Sequence, residues 1–224
     1  MVRQGSTFVG NIKVMNQTLR LIIANPELHA AWLNSLSFME NAGARKISAC
    51  EDECMTGIIQ LKHAAEEHRH AYYLKKQIGK LDVSGFEFYE EASMLAGKAS
   101  KQYLHRLDIQ VCRYLKSEFQ LSGQELKYAA YLFVTYAIEV RADALYPIYQ
   151  EELSAAQSKV MVKSIILEEE GHLEEMISQL NDFHPDWESY ANEVLMMEDK
   201  LFSDWLVAIV KDVESKTKNV ESIA

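Results

Sequence analysis

Two segments of this chain place a glutamate and a histidine three residues apart within an apolar helical pattern. HAAEEHRHAYYL contains Glu67 and His70, and IILEEEGHLEEM contains Glu169 and His172. Residues three apart lie on one face of a helix, so each pair shares a face with apolar neighbours. Burying an ionised carboxylate there is costly unless a partner compensates its charge. A bound metal ion is one such partner.

Two further glutamates lie on apolar stripes of the helical segments that precede these motifs. Glu40 shares its stripe with Leu33 and Leu36, and Glu139 shares its stripe with Leu132 and Tyr146. In an antiparallel helical hairpin, residues equally distant from the turn lie at the same height. In each predicted hairpin, the glutamate of the first helix and the Glu-x-x-His motif of the second lie at similar distances from the turn. All six residues are therefore expected near the middle of the bundle. The predicted metal ligands are Glu40, Glu67, His70, Glu139, Glu169 and His172.

Composition limits the class of protein and its partners. The chain has 224 residues, a formal net charge of −10 and 48% hydrophobic residues, which favours one folded domain over residues 1–224. An acidic surface repels phosphate backbones and anionic lipid, and no apolar run is long enough to span a bilayer. Neither nucleic acid nor a membrane is therefore an expected partner.

The cysteines are three, Cys50, Cys54 and Cys112. An odd number in a chain of this size suggests reduced thiols and hence a cytoplasmic location. The segment CEDEC contains two of them at a spacing that is a weak signal for zinc binding or redox chemistry, and we interpret both as ordinary thiols near a helix junction.

The pattern of apolar residues is helical along nearly the whole chain. Asn25 and Pro26 have the residue types of a helix start, and Ser122 with Glu125 has the spacing of a capping box. The predicted helices cover about 26–49, 52–80, 86–120 with interruptions near Gly97, 122–152, 154–181 and 187–216. Two hairpins joined by a long crossover predict an all-α four-helix bundle over about 26–181, with an additional C-terminal helix.

A glutamate from each of two helices and a Glu-x-x-His motif from each of the other two resemble the ligand pattern of the ferritin-like di-iron carboxylate superfamily. The resemblance covers roughly residues 26–180. The short interval between Glu40 and Glu67 is similar to that of aldehyde-deformylating oxygenases. IEVRADALYPIY, which begins at Ile138, is similar to segments of both those enzymes and the tRNA-hydroxylating branch.

The resemblance implies an oxidoreductase in which two iron ions, or a manganese–iron pair, activate dioxygen to oxidise or hydroxylate a small organic substrate. Its electrons would come from an unidentified donor. Ferroxidase or other iron-handling activity and rubrerythrin-like peroxide reduction are the alternatives within the superfamily, since one fold hosts several functions. A helical interaction protein without metal is the alternative outside it. The apolar stripe of the last helix is either ordinary core or the contact of a homodimer.

Other polar residues near the motifs have two interpretations each. Tyr136, one turn before Glu139, is the candidate catalytic residue, and core packing is its alternative. His63, one turn before Glu67, is either an added ligand or outer hydrogen-bond donor, or a polar residue near the bundle end. Asp143 would support a ligand histidine or form a salt bridge. The residues expected on the surface are Glu66, His105, Asp108, Glu168 and Glu170.

Overall fold

Seven α-helices make up most of the chain in a computed structural model that describes residues 6–221. They are α1 (Ser6–Ala24), α2 (Pro26–Ala49), α3 (Ile58–Ile78), α4 (Gly97–Phe119), α5 (Gly123–Ala155), α6 (Lys163–Phe183) and α7 (Trp187–Glu221). One turn of 3₁₀ helix covers Glu91–Ser93, and no strand occurs in the described range. The prediction of an all-α chain is confirmed.

The start of α2 follows directly from its sequence. The Asn25 side-chain oxygen accepts hydrogen bonds from the backbone N–H groups of Glu27 and Leu28, at 3.0 and 3.1 Å. Pro26 occupies the first helical position, where its missing N–H group costs nothing. The predicted range of 26–49 therefore matches the observed helix.

Two helical hairpins form the centre of the fold. α2 packs along α3, and α5 packs along α6, while α3 and α6 meet at a second seam. The long connection between the hairpins contains α4, which packs against α2, α5 and α7. The predicted arrangement of two hairpins with a long crossover is therefore present.

Several helix boundaries differ from the prediction, and the local turn that precedes the helix explains two of them. α3 begins at Ile58 rather than near 52, because the Asp52 carboxylate accepts the N–H groups of Cys54 and Met55 and holds them in a turn. α6 begins at Lys163 rather than near 154. Gln157 takes a left-handed backbone conformation, and the residues after it reverse the direction of the chain before α6 starts.

At the starts of α4 and α5, Gly97 and Ser122 have roles that differ from those predicted. Gly97 begins α4 instead of interrupting it, and a Cβ atom at this position would lie 2.3 Å from the Glu91 carbonyl oxygen. Ser122 precedes α5 as predicted, but its side chain makes no capping hydrogen bond, so the predicted capping box with Glu125 is wrong.

The first helix, α1, is absent from the sequence prediction. Its residues Met15, Leu19 and Ile22 are buried in the core, and the helix contacts α2, α5 and α7. Arg20 adds a two-point ion pair to Glu152 on α5, at 2.8 and 3.0 Å. α1 therefore covers a surface of the bundle that the sequence pattern left open.

The last helix buries its apolar stripe inside the same chain. Leu201, Trp205 and Ile209 are among its buried residues, and the helix packs on α1, α4, α5 and α6. This packing accounts for the stripe that suggested a homodimer. Among residues 6–221, no helix combines the length and apolar composition needed to cross a bilayer.

Candidate metal centre

The six predicted ligands converge between the two hairpins. α2 supplies Glu40, and α5 supplies Glu139. α3 and α6 each supply one Glu-x-x-His pair. One group consists of Glu40, Glu67, His70 and Glu169, and a second consists of Glu67, Glu139, Glu169 and His172. Within each group, one donor atom per residue lies within 4.8 Å of the others, so each could hold a metal ion.

The two groups share Glu67 and Glu169. A carboxylate has two oxygen atoms, so each shared residue has one oxygen available for each of two neighbouring ions. The unshared donors, Glu40 with His70 and Glu139 with His172, then divide between the two positions. Two neighbouring metal ions could therefore be held here, with Glu67 and Glu169 common to both groups.

Burial leaves several donor atoms without partners. Glu67, Glu139, Glu169 and both histidines of the site are at most 5% exposed. Five of their atoms have no hydrogen-bond partner among the described residues: His70 Nδ1, Glu139 Oε2, both oxygens of Glu169, and His172 Nδ1. Glu169 Oε1 lies 3.1 Å from His70 Nδ1 without the alignment of a hydrogen bond. Buried polar atoms are normally paired, so this set fits a bound cation.

The outer nitrogens of both histidines are held by carboxylates from the opposite helix. His70 Nε2 on α3 lies 2.8 Å from Glu168 on α6, and His172 Nε2 on α6 lies 2.6 Å from Glu66 on α3. A neutral imidazole that donates from Nε2 leaves Nδ1 as an electron-pair donor. Both unpaired Nδ1 atoms therefore face the cluster as metal ligands require.

Glu66 and Glu168 are thus not the free surface acids that the sequence suggested. Their side chains are 16% and 33% exposed, and Arg69 donates to both, at 3.2 and 2.6 Å. The prediction was wrong because it considered each helix alone, whereas these acids act across the seam between α3 and α6. The side chain of Glu170 lies outside the described part of the structure.

The electrostatics of the cluster reflect crowded carboxylates. Burial raises the pKa of Glu67 well above its usual range, and the neighbouring charge of Glu40 raises it further. Burial and the charge of Glu169 act in the same way on the pKa of Glu139. Burial opposes ionisation of Glu169 as well, but close contacts with Glu139, His172 and His70 lower its pKa. The ionised Glu169 in turn raises the pKa of both histidines against the effect of burial.

His63 lies beside the cluster but outside both groups. Its ring is fully buried, and its centroid is 4.7 Å from that of His172. His63 Nε2 lies 2.8 Å from Glu175, and Nδ1 lies 3.2 Å from the Tyr131 hydroxyl. Because both nitrogens already have partners, His63 fits a packing and hydrogen-bonding role rather than that of an added ligand.

Tyr146, rather than Tyr136, is the tyrosine that reaches the ligands. The Tyr146 hydroxyl donates to Glu40, whereas the Tyr136 ring packs edge-on against Trp187. Seven residues complete almost two turns, so Tyr146 shares the face of Glu139 more closely than a residue three positions away. The candidate catalytic role of Tyr136 therefore receives no support from its position.

The remaining polar candidates lie apart from the cluster. Asp143 and His105 are exposed. Asp108, expected on the surface, is only partly exposed and pairs with Lys46 at 2.7 Å. Arg141 pairs with the buried Glu198 of α7.

A cavity of about 90 Å³ adjoins the carboxylate side of the cluster. Glu40, Glu67 and Glu139 contribute to its wall, and neither histidine of the site does. Most of the other lining residues are apolar and come from α2, α4 and α5, among them Leu36, Leu104, Val134 and Ile138. The site thus combines hard metal donors with an apolar space that could hold a small organic molecule.

Comparisons with protein-family models, curated proteins and solved structures found no match for this chain. The assignment of the site therefore depends on its residues and their geometry.

Proposed function

We propose that this protein is a non-haem di-iron oxidoreductase that activates dioxygen to oxidise or hydroxylate a small organic substrate. The observation that carries the proposal is the pair of overlapping four-residue groups with Glu67 and Glu169 in common. Two glutamates and two Glu-x-x-His motifs on four facing helices are the ligand set of ferritin-like di-iron carboxylate proteins, and we propose membership of that superfamily on this basis.

The donor set favours iron, or a manganese–iron pair, over structural zinc. Four carboxylates and two imidazoles are hard and intermediate donors, and no thiolate is among them. When bound, such a metal pair supplies the electrons and the open coordination positions that dioxygen reduction needs.

The surrounding residues fix the donors in place. Glu168 and Glu66 orient the two histidines, and the Tyr146 hydroxyl restrains Glu40. Orienting contacts of this kind keep the ligand geometry from relaxing when the charge at the site changes.

The cavity supports an organic substrate. Its apolar wall would exclude water and hold an apolar group next to Glu40, Glu67 and Glu139. Iron storage or ferroxidase activity, the alternative function, has no need of such a space. A rubrerythrin-like peroxide reductase remains the second alternative. Either alternative would use the same ligands.

A cavity-filling variant separates these functions. Val134→Phe places a ring in the cavity, and Val207→Phe is the matched control because Val207 is exposed on α7. With iron-loaded protein, dioxygen, a chemical reductant and a panel of small apolar substrates, we expect organic product from wild type and the control, and little from Val134→Phe at equal iron content.

The alternatives predict different results. If iron(II) is oxidised in large excess over the protein without organic product, at the same rate in all three proteins, the function is ferroxidase. If added hydrogen peroxide is consumed in place of dioxygen and no substrate is oxidised, the function is peroxide reduction. Either result would overturn the proposed oxygenase.

A further inference from the structure

Two cysteines, one capping the end of α2 and one on α4, occupy matching positions relative to an ion pair. Ser35 on α2 contacts Leu95, just before α4, and Lys46 further along α2 pairs with Asp108 further along α4. The two helices therefore run side by side in the same direction. Cys50 and Cys112 each follow one member of the ion pair by four residues. Residues four apart share a helix face, which places both cysteines about one turn beyond the ion pair, on the side where α2 and α4 meet.

The surroundings of both thiols agree with this placement. Cys50 and Cys112 are free and partly buried, and Cys112 Sγ lies 3.9 Å from Asp108 Oδ1. Burial raises the pKa of Cys50 to about 11, and the nearby Asp108 and Cys112 act in the same direction. Cys50, Lys46 and Asp108 also line the cavity.

We propose that Cys50 and Cys112 form a redox-active dithiol between the end of α2 and α4, and that hydrogen peroxide oxidises this dithiol to an intramolecular disulfide. One thiolate attacks the peroxide, whose O–O bond breaks to give a sulfenic acid and hydroxide. The second thiol then displaces water from the sulfenic acid as the S–S bond forms. In total, two thiols lose two electrons and two protons, and one peroxide becomes two water molecules.

The disulfide would join the end of α2 to α4 one turn beyond Lys46 and Asp108, which line the cavity. This proposal is independent of the metal centre, because the oxidant is a soluble peroxide and neither cysteine belongs to the ligand groups. Its failure would leave the proposed function unchanged.

Cys54 is the competing partner. It is four residues from Cys50 in the sequence, but it lies beyond the end of α2 in the turn that Asp52 holds, where it is exposed. Sequence spacing alone would pair Cys50 with Cys54, whereas the alignment of α2 with α4 favours Cys112.

Thiol counting tests the proposal on the full-length, chelator-treated protein. After treatment with hydrogen peroxide, denaturation and alkylation, we expect an intact mass that carries one alkyl group instead of three, a loss that dithiothreitol reverses. Peptide mapping should join Cys50 to Cys112 within one chain. Cys54→Ser should lose two alkylation sites in the same way, whereas Cys50→Ser and Cys112→Ser should form no internal disulfide.

Three results would overturn the proposal: retention of all three alkylation sites, a Cys50–Cys54 bridge, or bridges only between chains. A rate measurement adds a second test. Burial raises the pKa of both thiols and the charge of Asp108 raises it further, so Asp108→Asn should increase the thiolate fraction and speed disulfide formation several-fold. An unchanged rate would contradict the placement of both sulfurs beside this carboxylate.

Discussion

His70 and His172 are oriented by carboxylates that belong to the opposite helix. Each histidine has its outer nitrogen on such a carboxylate and its inner nitrogen directed at the cluster. This arrangement fixes which nitrogen is free to bind a metal ion before any ion arrives. Arg69 links the two orienting carboxylates, Glu66 and Glu168, so both halves of the site share one support on the solvent side.

Removing one orienting carboxylate should weaken metal binding without unfolding the chain. Glu168→Ala deletes the acceptor beside His70, and loss of such an outer contact typically reduces metal affinity by about 10–100-fold. Competition with a calibrated chelator measures this affinity. Glu174→Ala, which removes an exposed acid of the same helix, is the control and should bind iron as wild type does. Wild-type affinity in Glu168→Ala would contradict the role of Glu168.

His29 gives a pH-dependent contribution to stability that does not involve the metal site. Its ring is buried, Nε2 lies 2.6 Å from the Tyr149 hydroxyl, and burial lowers its pKa from 6.5 to about 4. Below pH 6.5 the unfolded chain therefore binds a proton that the folded chain does not, and stability falls as the pH decreases. The contribution is complete above pH 6.5 and is lost by about pH 4, which amounts to about 3 kcal/mol.

Denaturant unfolding of the metal-free protein between pH 7 and pH 4 measures this effect. His29→Gln should flatten the decline in unfolding free energy over that range, while the exposed His105→Gln should leave it as in wild type. Equal slopes in wild type and His29→Gln would show that His29 titrates normally in the folded protein.

The sequence was sufficient to identify the six clustered donors, but not the residues that hydrogen-bond to them and orient them. A glutamate or histidine on an apolar stripe is conspicuous, because burial of its charge needs a reason. Glu66 and Glu168 lie at positions where acids are ordinary, and their role depends on the register between α3 and α6. Tyr136 was preferred to Tyr146 from proximity in sequence alone. These roles depend on contacts between helices, and the apolar pattern of one helix does not predict such contacts.

At the scale of the helix, side-chain caps decide where some elements begin. Asn25 caps α2 through two hydrogen bonds, whereas Ser122 occupies the equivalent position before α5 without one. The two residues have similar capping preferences, so residue type alone does not distinguish them.

This difference predicts unequal costs for the same type of substitution. Asn25→Ala should lower the free energy of unfolding by about 0.5–2 kcal/mol, the usual value of a cap, because two backbone donors lose their partner. Ser122→Ala should cost less, since its side chain caps nothing. Chemical denaturation of both variants tests the pair, and a larger cost at Ser122 would contradict the cap assignment.

The sequence predicted some helix boundaries correctly and missed others, and the missed ones depend on the turn that precedes the helix. The predicted starts of α2 and α7 and the predicted end of α4 agree with the structure to within one residue. The starts of α3 and α6 depend on turns whose hydrogen bonds run to side chains such as Asp52 and Gln150, and these turns shorten each helix. α1 was missed although its buried residues are spaced for a helix.

At the scale of the molecule, α1 and α7 brace the hairpins from outside. The main polar link is at Glu198 of α7, a buried carboxylate that accepts from Arg141 at 2.8 and 2.7 Å and from the Tyr103 hydroxyl. The Arg141 guanidinium also lies over the Phe202 ring, at 3.9 Å from its centroid. α7 is therefore joined to α4 and α5 by a buried charge network as well as by apolar packing.

Breaking this network should lower the free energy of unfolding far more than removing a charge at its edge. Glu198→Ala should lower the free energy of unfolding by about 3–5 kcal/mol, because the buried guanidinium loses its main counter-charge. Asp199→Ala is the matched control: its carboxylate is partly exposed and lies 3.1 Å from Arg141, so the cost should be at most about 1 kcal/mol. Equal costs in denaturant unfolding would contradict the importance of the buried link.

The sequence pattern could not predict how α7 packs. Its apolar stripe was recognised, but a stripe does not say whether it packs within the chain or against a second copy. The structure places the stripe against other helices of the same chain. The homodimer stays a prediction, now without that argument.

The most direct test of the central claim is the number of metal ions that one chain binds. Protein loaded anaerobically with iron(II) and freed of loose metal by gel filtration should contain about two ions per chain by mass spectrometry, as a dinuclear carboxylate site requires. Glu67→Ala and Glu169→Ala each remove a donor from both groups and should lower the content at both positions. His172→Ala should reduce it, and Glu174→Ala should not. Wild-type protein that retains no iron, manganese or zinc would contradict the dinuclear site and leave the cluster as buried carboxyl groups alone.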